Sequence, residues 1–158
     1  GRLVIPAAEA LGMKTVGYDP FLDAERAATI SPNLRFTDDL LDLCASCDYI
    51  TIHVPATPKT KGMIGADEIA AMKEGAAFLN FSRDTLVDND AMRAGLTSGK
   101  VRRYVTDFAT PEVMTMEGAL VLPHLGASTA EAEENCAEMA VREVMDYLET
   151  GKKVHCVN

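Results

Sequence analysis

Several kinds of residue are scarce in this chain, and each scarcity excludes something. There is no tryptophan, and aromatic residues make up only 6% of the 158 positions. No stretch of about 18 apolar residues occurs, so the sequence offers no membrane-spanning helix. No charged segment followed by a short apolar run opens the chain, so no secretory signal is legible. Basic residues are outnumbered: 15 Lys and Arg face 24 Asp and Glu, giving a net charge of −9 and a pI near 4.7. A chain without a basic stripe cannot release counterions from a phosphate backbone, which argues against nucleic acid as a partner. The same balance means that any anion must be bound by local groups rather than steered by the overall field. There are four cysteines. Cys44-Ala-Ser-Cys47 lacks a second close pair, so it does not read as a zinc ribbon, and no other metal site is expected. These thiols read as reduced packing residues of a cytoplasmic protein.

What the chain does have is alternation. Arg2–Leu11 reads as a helix, with Pro6 as its weak point and Gly12 as its C-cap. Strands are expected at 13–18, 48–53, 76–81, 103–107 and 119–122. Helices are expected at 38–45 (capped by Thr37), 66–72, 89–98 (capped by Asp88 and closed by Gly99) and 130–150. The 158 residues fit one domain, with the last helix counted from Ser128 with its cap and a short tail over 151–158. Short apolar strands alternating with helices predict an α/β fold, a mostly parallel, doubly wound sheet covered on both faces. In such a sheet ligands sit beyond the carboxyl ends of the strands. Five clusters fall there: Asp19, His53–Pro55, Ser82-Arg83, Asp107–Glu112 and His124–Ser128.

Asp19 ends the first of these strands. A Rossmann unit places an acid there for the ribose hydroxyls of NAD, about 20 residues after its glycine-rich turn. Counting back from Asp19 reaches Gly1, which reads as the last glycine of a G-x-G-x-x-G. The strand that normally precedes that turn is therefore expected to be missing, along with any separate substrate domain. A chain so built is expected to need both for catalysis. His124 lies in Leu122-Pro-His-Leu-Gly-Ala-Ser-Thr129, between a strand and a helix start, where an imidazole can serve as an acid or base.

The stretches Gly12-Met-Lys-Thr-Val-Gly-Tyr-Asp-Pro20, His53-Val-Pro-Ala-Thr-Pro-Lys-Thr-Lys-Gly-Met-Ile64, Asn80-Phe-Ser-Arg-Asp-Thr-Leu-Val-Asp88, Thr106-Asp-Phe108 and Pro123-His-Leu-Gly-Ala-Ser-Thr129 carry a family resemblance. Together they resemble the nucleotide-binding domain of the D-isomer-specific 2-hydroxyacid dehydrogenases. The resemblance implies an NAD-dependent oxidoreductase that moves a hydride between the cofactor and C2 of its substrate. The last motif points, within that family, to 3-phosphoglycerate and 3-phosphohydroxypyruvate, and so to serine biosynthesis.

The same resemblance implies a role for each matching residue. His124 is the acid/base, Glu112 the carboxylate that orients it, and Arg83 the grip on the substrate carboxylate. On the cofactor side, Gly1 closes the phosphate turn and Asp19 takes the adenosine ribose, while Val54 and Pro55 line the adenine. Phe81, Ser82 and Arg83 flank the nicotinamide ribose, Asp107 meets the carboxamide, and His124, Leu125, Gly126 and Ala127 close over the ring. An acid at position 19 with no arginine after it favours NAD over NADP. A homodimer is implied as well.

Two departures from the pattern stand out. The usual D-x-F-x-x-E-P is replaced by Asp107-Phe-Ala-Thr-Pro-Glu-Val113, which makes Glu117 a rival for the carboxylate role. The usual Arg-Gly-Gly is replaced by Arg83-Asp-Thr85, which puts the backbone beside Arg83 in question. Alternative readings are a dehydrogenase for another D-2-hydroxy acid, a non-catalytic NAD-sensing binding protein, or a truncated remnant. Turnover of phosphohydroxypyruvate with NADH by the full-length chain separates the enzyme from the sensor.

Overall fold

A computed structural model describes residues 1–156. It divides into two units, Gly1–Pro123 and a second that begins at His124. The final two positions of the expected tail lie outside the described residues.

The first unit opens with helix α1 (Val4–Ala10). Pro6 is its third residue, within the first turn, where a backbone N–H has no intrahelical acceptor, so the proline costs no hydrogen bond. The helix ends on a Schellman arrangement. Gly12, at φ +81°, donates its N–H to Glu9 O at 2.8 Å, and Met13 N–H reaches Ala8 O at 3.1 Å. Glycine takes this left-handed conformation without a Cβ clash.

Strands β1 (Val16–Tyr18) and β2 (Arg35–Thr37) form a parallel pair, with Val16 opposite Arg35. Between them lies the short helix α2 (Ala24–Ala28), capped by Asp23, whose carboxylate accepts from Arg26 N–H. Neither β2 nor α2 was expected. Helix α3 (Leu40–Ser46) follows, and its cap is Asp39, which accepts from Leu41 N–H at 2.8 Å. The expected cap, Thr37, instead accepts the N–H of Asp39 and stands two residues too early.

Strands β3 (Tyr49–Ile52), β4 (Ala76–Asn80), β5 (Val101–Thr106) and β6 (Ala119–Val121) form a four-stranded sheet in that order. Every neighbouring pair in it is parallel. Their crossovers contain α4 (Ala66–Ala71), α5 (Asn89–Ser98) and α6 (Pro111–Met114). Asp88 caps α5 as expected, accepting from Ala91 N–H. Helix α6 was not expected, although Thr110 before Pro111 is a cap followed by a first-position proline. A short 3₁₀ turn spans Asp84–Leu86.

Ile50, Ile52, Ile69, Phe78, Leu86, Met92, Val101 and Tyr104 pack the core with Cys44 of α3. Cys44 is fully buried, and burial pushes its thiol up to about 12, the inert packing role expected for it. A parallel pair and a four-stranded parallel sheet with helical crossovers form a Rossmann-like α/β fold.

The second unit contains α7 (Ala130–Thr150), capped by Thr129 and closed by Gly151. It buries none of its residues. His155 in the tail meets Glu143 Oε1 at 2.8 Å. No helix among the described residues is long and apolar enough to cross a membrane.

Candidate functional site

Because the strands run parallel, their carboxyl ends share one edge of each sheet. The expected residues of the first unit sit there. Asp19 follows β1 directly and is half-buried. Its Oδ1 accepts Phe21 N–H at 2.9 Å, so the same carboxylate also holds the turn through Pro20. Gly1 accepts the N–H groups of Val4 and Ile5 on its carbonyl and lies beside the His53 ring at the end of β3. A Cβ built on Gly1 would meet His53 at 3.8 Å, an ordinary contact, so close packing does not require glycine at this position. Burial pulls the His53 imidazole below its usual range.

Val54 is half-buried and packs on the core, while Pro55 is exposed and its carbonyl accepts Thr60 Oγ1 at 2.7 Å. Phe81, directly after β4, is 40% exposed.

Ser82 and Arg83 follow β4. Ser82 Oγ donates to the Ile52 carbonyl at 2.7 Å, which ties this turn to the end of β3. Arg83 is exposed, and its Nη1 donates to the Ser82 carbonyl. The missing glycines after Arg83 do not strain the chain. Asp84 and Thr85 enter the 3₁₀ turn with Asp84 Oδ1 accepting Thr85 N–H at 2.8 Å. Among the described residues the one non-glycine with positive φ is His155, far along the chain.

Asp107 follows β5, is half-buried, and its Oδ1 is shielded from solvent. Thr106 beneath it is fully buried and accepts Phe108 N–H. Glu112 lies in the first turn of α6 and Glu117 in the following turn, and both are exposed. An open cavity of about 490 Å³ separates the two carboxylates in character: Glu112 lines it with Asp84, Thr85, Tyr104 and Phe108, whereas Glu117 does not. Arg93 braces the Glu112 turn by donating to the Glu112 carbonyl at 2.9 Å. His124, Leu125, Gly126 and Ala127 belong to the second unit and are exposed there. Ser128 N–H donates to Leu125 O at 3.0 Å, closing the turn before α7. Among the described residues no cluster of His, Cys, Asp and Glu is arranged to hold a metal ion.

The donor chemistry fits a dinucleotide. A carboxylate stands at the end of β1 for a ribose diol, and acceptors and hydroxyls line the ends of β4 and β5. The sequence reading passed over Asn80, a fully buried amide at the last position of β4. Its only signal was a polar residue closing an otherwise apolar strand.

Comparison with known proteins agrees with this arrangement. Residues 1–126 match the model of the D-isomer specific 2-hydroxyacid dehydrogenase NAD binding domain. The chain is 36% identical to D-3-phosphoglycerate dehydrogenase of Methanocaldococcus jannaschii, covering 94% of this chain and 29% of that protein. It is 34% identical to the Rattus norvegicus enzyme of the same name, covering all of this chain and 30% of that protein. The chain thus spans less than a third of the curated relatives it matches. D-lactate dehydrogenase from Lactobacillus jensenii, solved with NAD+, superposes with a TM-score of 0.82 at 25% identity, over all of this chain and 52% of that one. The chain belongs to the D-isomer specific 2-hydroxyacid dehydrogenase family, as an NAD-binding domain of Rossmann-like fold.

Proposed function

We propose that this domain works within a longer dehydrogenase that interconverts 3-phosphoglycerate and 3-phosphohydroxypyruvate at C2, at the entry to serine biosynthesis. The observation that carries the reading is Arg83, exposed at the carboxyl end of β4 on a turn bonded to the neighbouring strand. Support for the substrate comes from the relatives named D-3-phosphoglycerate dehydrogenase, which match nearly the whole chain. NAD, when bound, supplies the hydride acceptor. Arg83 grips the substrate carboxylate with its planar fork and polarises the C2 oxygen. His124 takes the proton from the C2 hydroxyl during oxidation and returns it during reduction. Glu112 orients the imidazole and supports its cation, and its place on the cavity wall favours it over Glu117 for this role. Asp19 accepts the adenosine ribose hydroxyls and repels a 2′-phosphate, selecting NAD. The working protein is a cytoplasmic homodimer.

A second reading, a dehydrogenase for another D-2-hydroxy acid, is favoured by the fold shared with D-lactate dehydrogenase. Reduction assays with phosphohydroxypyruvate, pyruvate and glyoxylate separate the two. In the full-length protein, Arg83→Lys should lower turnover by on the order of 10²-fold while NADH affinity changes little. Kinetics within threefold of the parent would remove Arg83 from the substrate role. Absence of turnover with every 2-oxo acid, alongside NAD binding, would turn the reading toward a sensor.

A further inference from the structure

The turn that carries Arg83 rests on a buried amide. Asn80 is the last residue of β4 and is fully buried, between Leu79 and Phe81 in a strand that is otherwise apolar. A polar side chain is tolerated in such a place when its hydrogen-bonding groups are answered. Here the answer comes from the turn itself. The Asn80 amide nitrogen donates to the Arg83 carbonyl at 2.8 Å, and its amide oxygen accepts Ser82 N–H at 3.1 Å. The nitrogen also donates to the Tyr104 hydroxyl at 3.5 Å, a longer and weaker contact. The orientation of the amide follows from its partners, because an N–H can only donate and a carbonyl can only accept.

One rigid plane therefore holds a backbone group of Ser82 and a backbone group of Arg83. The Ser82 carbonyl in turn accepts the Arg83 guanidinium, and Ser82 Oγ ties the turn to Ile52. With aspartate and threonine after the arginine, in ordinary backbone conformations, no glycine sets the path of this turn. The Asn80 amide is among the contacts that hold it.

We propose that Asn80 is a positioning residue, which through the backbone of Ser82 and Arg83 fixes the direction from which the guanidinium meets the substrate carboxylate. The proposal rests on the substrate role given to Arg83 above. A displacement of about 1 Å in such a group can cost on the order of 10²-fold in rate, so a buried amide can matter without touching substrate.

The test is a double-mutant cycle in the full-length dehydrogenase, with N80D, R83A and the double variant assayed for reduction of phosphohydroxypyruvate by NADH. Aspartate keeps the acceptor for Ser82 N–H and sets a carboxylate oxygen against the Arg83 carbonyl. N80D should raise KM for the 2-oxo acid and lower kcat/KM by roughly 10- to 100-fold, with NADH affinity within about threefold of the parent. In the R83A background N80D should add nothing, because the group it positions is gone. N80D kinetics within about twofold of the parent, or a double variant losing the product of the two single factors, would overturn the proposal. A silent R83A would defeat the substrate reading of Arg83 itself, and is read before Asn80 enters. N80S serves as the second variant, since its hydroxyl can still accept from Ser82 N–H and cannot reach the Arg83 carbonyl. Circular dichroism checks folding. If neither variant folds, Asn80 is a structural core residue and the positioning role is wrong.

Discussion

The two sheets of the first unit are built on different principles. In the β3–β6 sheet, the central strand β4 is buried at four of its five positions, and Phe78 packs tilted against Tyr104 with ring centroids 6.1 Å apart. In the β1–β2 pair no strand residue is buried, and α1 beside it buries none. What links that region is polar: Glu9 of α1 accepts the hydroxyls of Thr15 at 2.6 Å and Ser31 at 2.7 Å. One half is held by apolar burial centred on β4; in the other, a carboxylate and two hydroxyls add polar links to the β1–β2 ladder. The division maps onto function in the proposed reading. Arg83 and Asp107 sit on the self-sufficient half, and Asp19, which serves the adenosine ribose, on the loosely held one.

The largest effect should come from breaking the apolar half. Phe78→Ala should cost about 3–5 kcal/mol in urea unfolding, the usual range for emptying a buried aromatic site. Val16→Ala in β1, half-buried at most, should cost about 1 kcal/mol. Equal costs would erase the distinction.

Gly95→Ala sharpens it. In an exposed helix this exchange stabilises by about 1 kcal/mol. Here a Cβ would come within 2.8 Å of Ile69 Cγ2 and 3.3 Å of Val101 Cγ2, both branched and packed. Overpacking of about 1–3 kcal/mol should exceed the helical gain, leaving a net loss near 1 kcal/mol in the same assay. A net gain would mean that α5 sits less tightly on α4 and β5 than their contacts indicate.

The smallest effect concerns Glu9. Hydrogen bonds from Thr15, then Ser31, hold its carboxyl below the ordinary 4.5, against a small opposing effect of burial. A carboxylate whose folded pKa is depressed stabilises above its unfolded value and loses that contribution as pH falls through the folded one. Amide exchange in residues 15–31 should therefore quicken as pH drops below about 4.5, after correction for intrinsic rates. Glu9→Gln should be looser already at neutral pH and show no such step. An identical acid profile in the variant would remove Glu9 from the account.

The apolar half was also the more legible in sequence. Strand β4 is apolar up to Asn80, and Asp88 and Gly99 bracket α5 with a cap at each end. The polar half was read less well. Strand β2 has three residues and α2 five, too short for periodicity to register. The cap of α3 moved from Thr37 to Asp39 because the carboxylate reaches Leu41 N–H from the residue adjoining the helix. Helix α6 was missed although Thr110-Pro111 announced it. The positions of Asp19, Arg83 and Asp107 followed from the parallel order alone. The clamp at Asn80 could not be read, because its partners are backbone groups brought together only by the turn.

Native-state hydrogen exchange on the chain tests the contrast between the two halves most directly. The account predicts that amides of Ala77–Asn80 in β4 exchange only through global unfolding, while those of β1 and β2 open locally and exchange at least about 10²-fold faster. Uniform protection across β1, β2 and β4 would contradict it, and would mean that the polar links at Glu9 bind the β1–β2 pair into the same cooperative unit as the buried sheet.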